Sequence, residues 1–179
     1  YDIYRHDYEE FVTGSTSTRV TANSTATTLF DSTFYVLSSD RNVYKCLDND
    51  GNTASTVEPT GTGTTVITTG DGYKWKYMYT LSAAQQSNFL STDFMAVATN
   101  STVSSAATDG GIDIVKIKTA GSSYTVSGGG TSGTITNVPI RGDGSSAVCS
   151  VTLTSGAISA VTITVNGSGY TSGYIRNAD

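Results

Sequence analysis

Apolar and polar residues alternate along much of this chain with a period of two, the spacing of a strand that buries one face. The clearest case is residues 70–81, GDGYKWKYMYTL, where Tyr73, Trp75, Tyr77, Tyr79 and Leu81 alternate with Lys74, Lys76, Met78 and Thr80. An extended strand here puts all the large rings on one face, which makes these five residues the expected structural core. Weaker alternation predicts a first strand within residues 1–12, where Ile3, Arg5 and Asp7 oppose Tyr4, His6 and Tyr8. Residues 34–37 and 43–47 read as strands joined by the polar turn SSDRN. Residues 64–69 (TTVITT) are a β-branched run leading into the GDG turn. DNDGN at 48–52 is a turn signal, because Asn, Asp and Gly adopt positive φ at low cost. One helix is predicted. Ser82 and Gln85 have capping-box spacing, Ala83, Ala84, Gln85 and Gln86 favour helix, and Phe89 and Leu90 supply an apolar anchor before an end near Ser91. Phe94, Met95 and Val97 then return to extended structure, whereas the Ser/Thr-rich residues 13–28 read as a loop.

After residue 100 the pattern changes. NSTVSSAAT is low in complexity, and residues 101–108 read as a linker between a domain at 1–100 and a module at 109–179. That module carries an internal repeat: GGIDIVKIKTAGSSYT at 110–125 and GAISAVTITVNGSGYT at 156–171. Ile112 matches Ile158, Gly121 matches Gly167, Tyr124 matches Tyr170 and Thr125 matches Thr171, at a constant offset of 46 (158 − 112). Between the copies, residues 134–140 and 147–153 are further strand candidates joined by RGDGSS, with Cys149, Val151 and Leu153 on one face. A lone hairpin cannot bury an apolar face, so the copies are expected to stack or form a small sandwich.

Composition agrees with an all-β reading. Only 14% of the 179 residues are charged, with 19 Gly and 2 Pro, and β-branched threonine favours strands. Low charge argues against disorder. The expected fold class is mainly β: a β-sandwich-like core domain with one short helix, followed by a small β-repeat module. A net charge of −5 opposes nucleic-acid binding, which needs a basic face; Lys74 and Lys76 are a local exception. No apolar run has the length of a membrane span and no signal peptide opens the chain, so no membrane partner is expected. Tyr1 opens within an extended pattern, as a piece of a longer chain would. Cys46 and Cys149 have no CxxC or His partner nearby; both read as buried strand thiols, in keeping with folding in a reducing cytoplasm.

VYKCLDN, EPTG, DGYKWKYMYTLS and FLSTDFM, in that order, resemble the central part of the baseplate wedge proteins of contractile-tailed phages, above all the long cyanophage-type myovirus versions. The opening YDIYRHDY resembles the segment just before that core. The likeness covers roughly the first hundred residues. It implies a structural virion protein in the tail baseplate, assembled in the host cytoplasm. Association as a homodimer within the wedge and contacts with other wedge and tail proteins are implied as well. The family has no known catalytic site, so it transfers no active-site residue. The GGxIxxVxIxxxGxGYT pattern of the repeat resembles β-rich modules of phage structural and surface proteins.

Other chemistry is weighed against plainer readings. The aromatic stripe could stack on pyranoses, the alternative being a carbohydrate-binding or adhesion module of a tail fibre or bacterial surface protein. Its unbroken run into Leu81 favours a sheet core. Asp48-Asn49-Asp50-Gly51 begins like a calcium loop, but the twelfth position is Pro59 and Glu58 falls one short. Arg141-Gly142-Asp143 reads as a tight turn. His6 is the sole histidine and has no evident nucleophile or second ligand. Glu9, Glu10, Asp40, Asp71 and Asp93 are carboxylates without a paired context for glycoside hydrolysis. Asn23, Asn100 and Asn166 open sequons of the kind that arise by chance in a Ser/Thr-rich chain. No catalytic residue, cofactor or metal is expected.

Overall fold

The computed structural model describes residues 2–4, 8–10, 34–91 and 94–176. The expectations for His6, Asn23, Asp93 and the loop at 13–28 lie outside these. The fold is mainly β, as expected, and its sheets are largely antiparallel. The chain divides into two compact units, Tyr1–Ala106 and Ala107–Asp179.

In the first unit, β1 (Asp2–Tyr4), β2 (Tyr8–Glu10), β3 (Tyr35–Leu37), β4 (Asn42–Asp48), β5 (Ile67–Thr68), β6 (Lys74–Thr80) and β7 (Phe94–Ala96) form two sheets. One is five-stranded in the order β2-β3-β4-β6-β5; the other pairs β1 with β7. β2 lies parallel to β3, and the remaining pairs are antiparallel. The β3–β4 turn closes as SSDRN predicts. Ser38 N–H donates to Asn42 O at 2.8 Å, Arg41 N–H donates to Ser38 O at 3.0 Å, and Arg41 takes φ 63°. The run at 64–69 contributes only the two residues of β5. DNDGN forms a short 3-10 turn, Asp50–Asn52, with Gly51 at φ 68°.

The aromatic strand departs from the expected single face. Val43 pairs with Tyr79 and Tyr44 with Tyr77, so Met78 is an extra residue on β6, a bulge. A bulge reverses the facing of everything beyond it. Tyr73, Trp75 and Tyr77 therefore pack with Val36 and Tyr44, whereas Tyr79 and Leu81 pack with Leu37, Val43, Met95 and Ala96. Val36 and Leu37 are neighbours on β3 and necessarily point to opposite faces. All five stripe residues are buried, but they belong to two cores, one on each side of the sheet.

The helix α1, Ala83–Phe89, starts at the predicted capping box: Gln85 N–H donates to Ser82 Oγ at 3.1 Å and Ser82 N–H to Gln85 Oε1 at 2.8 Å. Its expected anchor is only half right, because Phe89 is 48% exposed and Leu90 makes the contact with the Tyr79 core. The linker expected at 101–108 is not a linker over most of its length. Ser101–Ala106 form a second helix, α2, which sets Val103 against the Trp75 core. Asn100 is its cap, with Oδ1 accepting Val103 N–H at 3.0 Å.

The second unit has a three-stranded sheet in the order β11-β10-β8 and a small pair, β12 with β9. Their spans are β8 (Gly133–Pro139), β9 (Arg141–Gly142), β10 (Val148–Thr154), β11 (Ala157–Val165) and β12 (Gly173–Tyr174). Cys149, Val151 and Leu153 are buried together, as their alternation predicts, with Val138, Ile140, Ala147 and Tyr170. The repeat shows itself as a reciprocal clasp. Ile112 N–H donates to Asn166 O at 2.9 Å, and Ile158 N–H donates to Ala120 O at 3.0 Å. Tyr124 N–H donates to Gly156 O, and Tyr170 N–H to Gly110 O, both at 3.0 Å. Adding 46 to one copy's number and subtracting 46 from the other's turns each bond into its mate. The two copies thus run antiparallel, each end holding the opposite end of the other.

Candidate functional site

The sequence singles out the aromatic strand, and its ring faces are shut inside the first unit. Trp75 has 0% exposure, stacks on Tyr73 at 5.2 Å between ring centroids, and donates its indole N–H to Thr69 Oγ1 at 3.1 Å. Tyr44 meets Tyr77 edge-on at 5.9 Å. The phenol oxygens reach the surrounding backbone: Tyr44 donates to Gly61 O at 2.8 Å and Tyr73 to Thr53 O at 2.5 Å. Burial, then the nearby Cys46, Asp71 and Asp50, pushes the Tyr73 phenol up to about 12. Burial also raises Tyr44, against the opposing Asn42 hydrogen bond. These rings present no face to a sugar.

Sequence reading placed Asp71 in the GDG turn without a role, and its role is substantial. Its carboxylate accepts from Ser55 Oγ (2.9 Å), Thr56 N–H (2.8 Å), Val57 N–H (3.0 Å), Thr69 Oγ1 (2.5 Å) and Tyr73 N–H (3.4 Å). Burial raises its pKa, but the hydrogen bonds from Thr69, Thr56, Ser55 and Val57 outweigh burial and hold it below the ordinary carboxylate value. A carboxylate this fully engaged staples residues 55–57 to the turn that opens β6 and is a poor general base. Beside it, Gly72 takes φ 85°, and a Cβ there would come within 2.6 Å of the Asp50 carboxyl carbon. That turn demands glycine.

A second polar chain links the start of β4 to the end of β6 and on to Asn100. Asn42 Oδ1 accepts from Thr80 Oγ1 at 2.5 Å, which leaves Tyr77 O–H to donate to Thr80 Oγ1 at 2.7 Å, and Asn100 Nδ2 donates to Tyr77 Oη at 3.4 Å. Asn100, a sequon residue by pattern, is thereby a helix cap tied into the core.

The calcium-like and RGD-like motifs are also occupied internally. Asp48 pairs with Lys74 at 3.7 Å, and the Asp50 carboxylate accepts from Thr53 Oγ1 at 3.3 Å. Among the described residues, no group of three or more His, Cys, Asp or Glu side chains is placed to hold a metal ion. In the second unit, Asp143 accepts from the Thr171 hydroxyl and from the backbone N–H groups of Thr171 (3.1 Å) and Ser172 (3.0 Å). Led by the Thr171 hydroxyl, these bonds lower its pKa to about 2. Asp40 is exposed in the β3–β4 turn, and Glu9 and Glu10 lie in β2. Cys149 is buried and its thiol pKa is raised by that burial, whereas Cys46 is half-buried. No described helix is long and apolar enough to cross a membrane.

What these groups do chemically is hold loops and strands in place. The segments that Asp71 and Asp143 staple are distant in sequence, and the local signal was Asp before Gly in both turns; for Asn100 the local signal was an Asn three residues before Val103, in helix-capping position. Comparison of the chain with protein-family models, with curated proteins and with solved structures found no match.

Proposed function

We propose that this chain is a structural protein of a contractile phage tail, building the baseplate wedge through protein–protein contacts with other wedge and tail proteins and with a second copy of itself. Its work on this reading is mechanical and involves no catalysis. The observation that carries it is where the four resembling motifs fall. VYKCLDN occupies β4, EPTG contributes the buried Pro59, DGYKWKYMYTLS supplies β6 and the α1 cap, and FLSTDFM leads into β7. The likeness thus rests on pieces that pack as one scaffold. Low charge and hydroxyl-rich surfaces suit extended subunit contacts.

The sugar-binding alternative needed exposed ring faces on β6, and their burial leaves it without its platform. Labelling purified contractile-tailed particles with antibody to this chain tests the proposal. Label at the baseplate, with the chain in fixed ratio to the sheath protein by mass spectrometry, is expected. Label confined to the fibres, or saturable binding of the full chain to a glycan array, overturns the proposal in favour of adhesion.

A further inference from the structure

The only Asn-Gly dipeptide in the chain is Asn166-Gly167, and it sits in the clasp between the two repeat copies. The fold requires the glycine and makes use of the asparagine. Gly167 takes φ 63°, and a Cβ there would lie 2.6 Å from both Ala147 N and Ser145 O, so no other residue fits. Asn166 accepts Ile112 N–H through its backbone and donates from Nδ2 to Ile112 O at 2.9 Å and to Asp113 Oδ1 at 3.0 Å. The matching position in the other copy is Ala120 (166 − 46), which has no side-chain amide to make such bonds. The side-chain lock therefore exists at one end of the clasp only.

Asn-Gly is the dipeptide most open to succinimide formation, because glycine puts no side chain in the path of its own nitrogen. Here Asn166 is exposed, and the Gly167 N–H donates to no acceptor among the described residues. We propose that Asn166 is a spontaneous modification site whose deamidation opens this end of the clasp. Gly167 N loses its proton to water and attacks Asn166 Cγ, and the side-chain nitrogen leaves as ammonia. Water then opens the five-membered ring at either carbonyl, giving aspartate or isoaspartate. A donor to two oxygens becomes a carboxylate facing the Ile112 carbonyl and the Asp113 carboxylate. Both hydrogen bonds turn into repulsive contacts, and the first copy is released from residue 112 onward. The change accumulates with the age of the protein and is independent of what the chain assembles with.

Trypsin isolates the site. The peptide 142–176 contains Asn166 as its sole Asn, and the peptide 119–141 contains Asn137 as an internal control. On incubating the folded full chain at mildly alkaline pH, the first peptide should gain about 1 Da while the second stays unchanged. Amide exchange at Ile112 should rise on the order of tenfold in Asn166→Asp, the loss expected for charge-assisted bonds. Asp113→Asn combined with Asn166→Asp should recover part of the protection, because the amide placed at 113 donates to the new carboxylate while Ile112 O still faces an acceptor. Mass gain at 166 only after unfolding in urea would overturn the site. Unchanged exchange in Asn166→Asp, or no rescue by the second substitution, would overturn the release.

Discussion

Trp75→Ala is the sharpest perturbation of the first unit. A buried Trp removes up to about 250 Å² from water, worth about 6 kcal/mol at about 25 cal/mol per Å². Alanine recovers part of this and the cavity relaxes only partly, so the expected loss is about 3–5 kcal/mol. Removing the Tyr73 stacking partner and the donor to Thr69 pushes toward the upper end. Against a typical total of roughly 5–15 kcal/mol, that leaves the first unit marginal. In thermal unfolding followed by far-UV circular dichroism, its midpoint should fall by about 12–20 °C, at roughly 4 °C per kcal/mol. Trp75→Phe keeps a ring in the stack and should cost about 1–2 kcal/mol. Trp75 is the sole tryptophan, so wild-type emission should be blue-shifted and resist acrylamide quenching until the first unit melts. A loss below about 0.5 kcal/mol, the scale of a surface substitution, together with water-exposed emission, would refute the buried-core assignment.

Asp71→Ala should cost about 2–3 kcal/mol, read by urea denaturation, because Ser55 and the 56–57 amides lose a charged acceptor. Both Asp71 and Asp143 have folded pKa values below the ordinary 3.8. Their stabilising contributions are full above that value and vanish as pH falls through the folded one, between 3.8 and about 2 for Asp143. An acid titration of the second unit should therefore flatten in Asp143→Asn. Gly110 and Gly156 occupy equivalent repeat positions, yet a Cβ would meet Tyr170 N at 2.4 Å in the first case and Ser123 N at 3.3 Å in the second. Gly110→Ala should lower the melting point of the second unit more than Gly156→Ala, and equal effects would count against the clasp. Ser82→Ala should cost about 1 kcal/mol by loss of the capping box, measured by the same unfolding assay.

Local chemistry was legible wherever one short segment decides the outcome. The β3–β4 hairpin, the Gly72 turn, the Ser82–Gln85 box and the buried face of Cys149, Val151 and Leu153 all follow from neighbouring residues. What escaped depends on distant partners. Residues 101–106 look featureless beside the local cap at Asn100, and the docking of Val103 on the distant Trp75 core is what secures them as a helix. The two repeat copies match in sequence, but only the second becomes a strand, β11. In it Ser159 and Thr164 are extra residues against β10, so the strand bends twice. A partner on its far side meets an interrupted ladder, and the first copy is secured at its ends.

The aromatic stripe carries the same lesson into function. Period-two alternation fixes the side-chain direction only while the ladder stays in register, and Met78 breaks it between Tyr77 and Tyr79. Without that bulge all five side chains would crowd one face and leave the other to Met78 and the lysines. With it, β6 feeds two cores: one closed by the loop that Asp71 staples and by α2, the other by β7 and Leu90. With its rings buried on both sides, the strand has no free ring face to offer a ligand. The same burial ties the loop, α2 and β7 to a single central strand, so a load applied to any of them reaches the sheet through packed rings and engaged hydrogen bonds. Such a layout suits an assembly part that must hold its shape while neighbours push on it. A binding platform would require the opposite, with rings kept free on one side. The burial of these rings, on whichever face they fall, is thus what separates the scaffold reading from the sugar-platform reading.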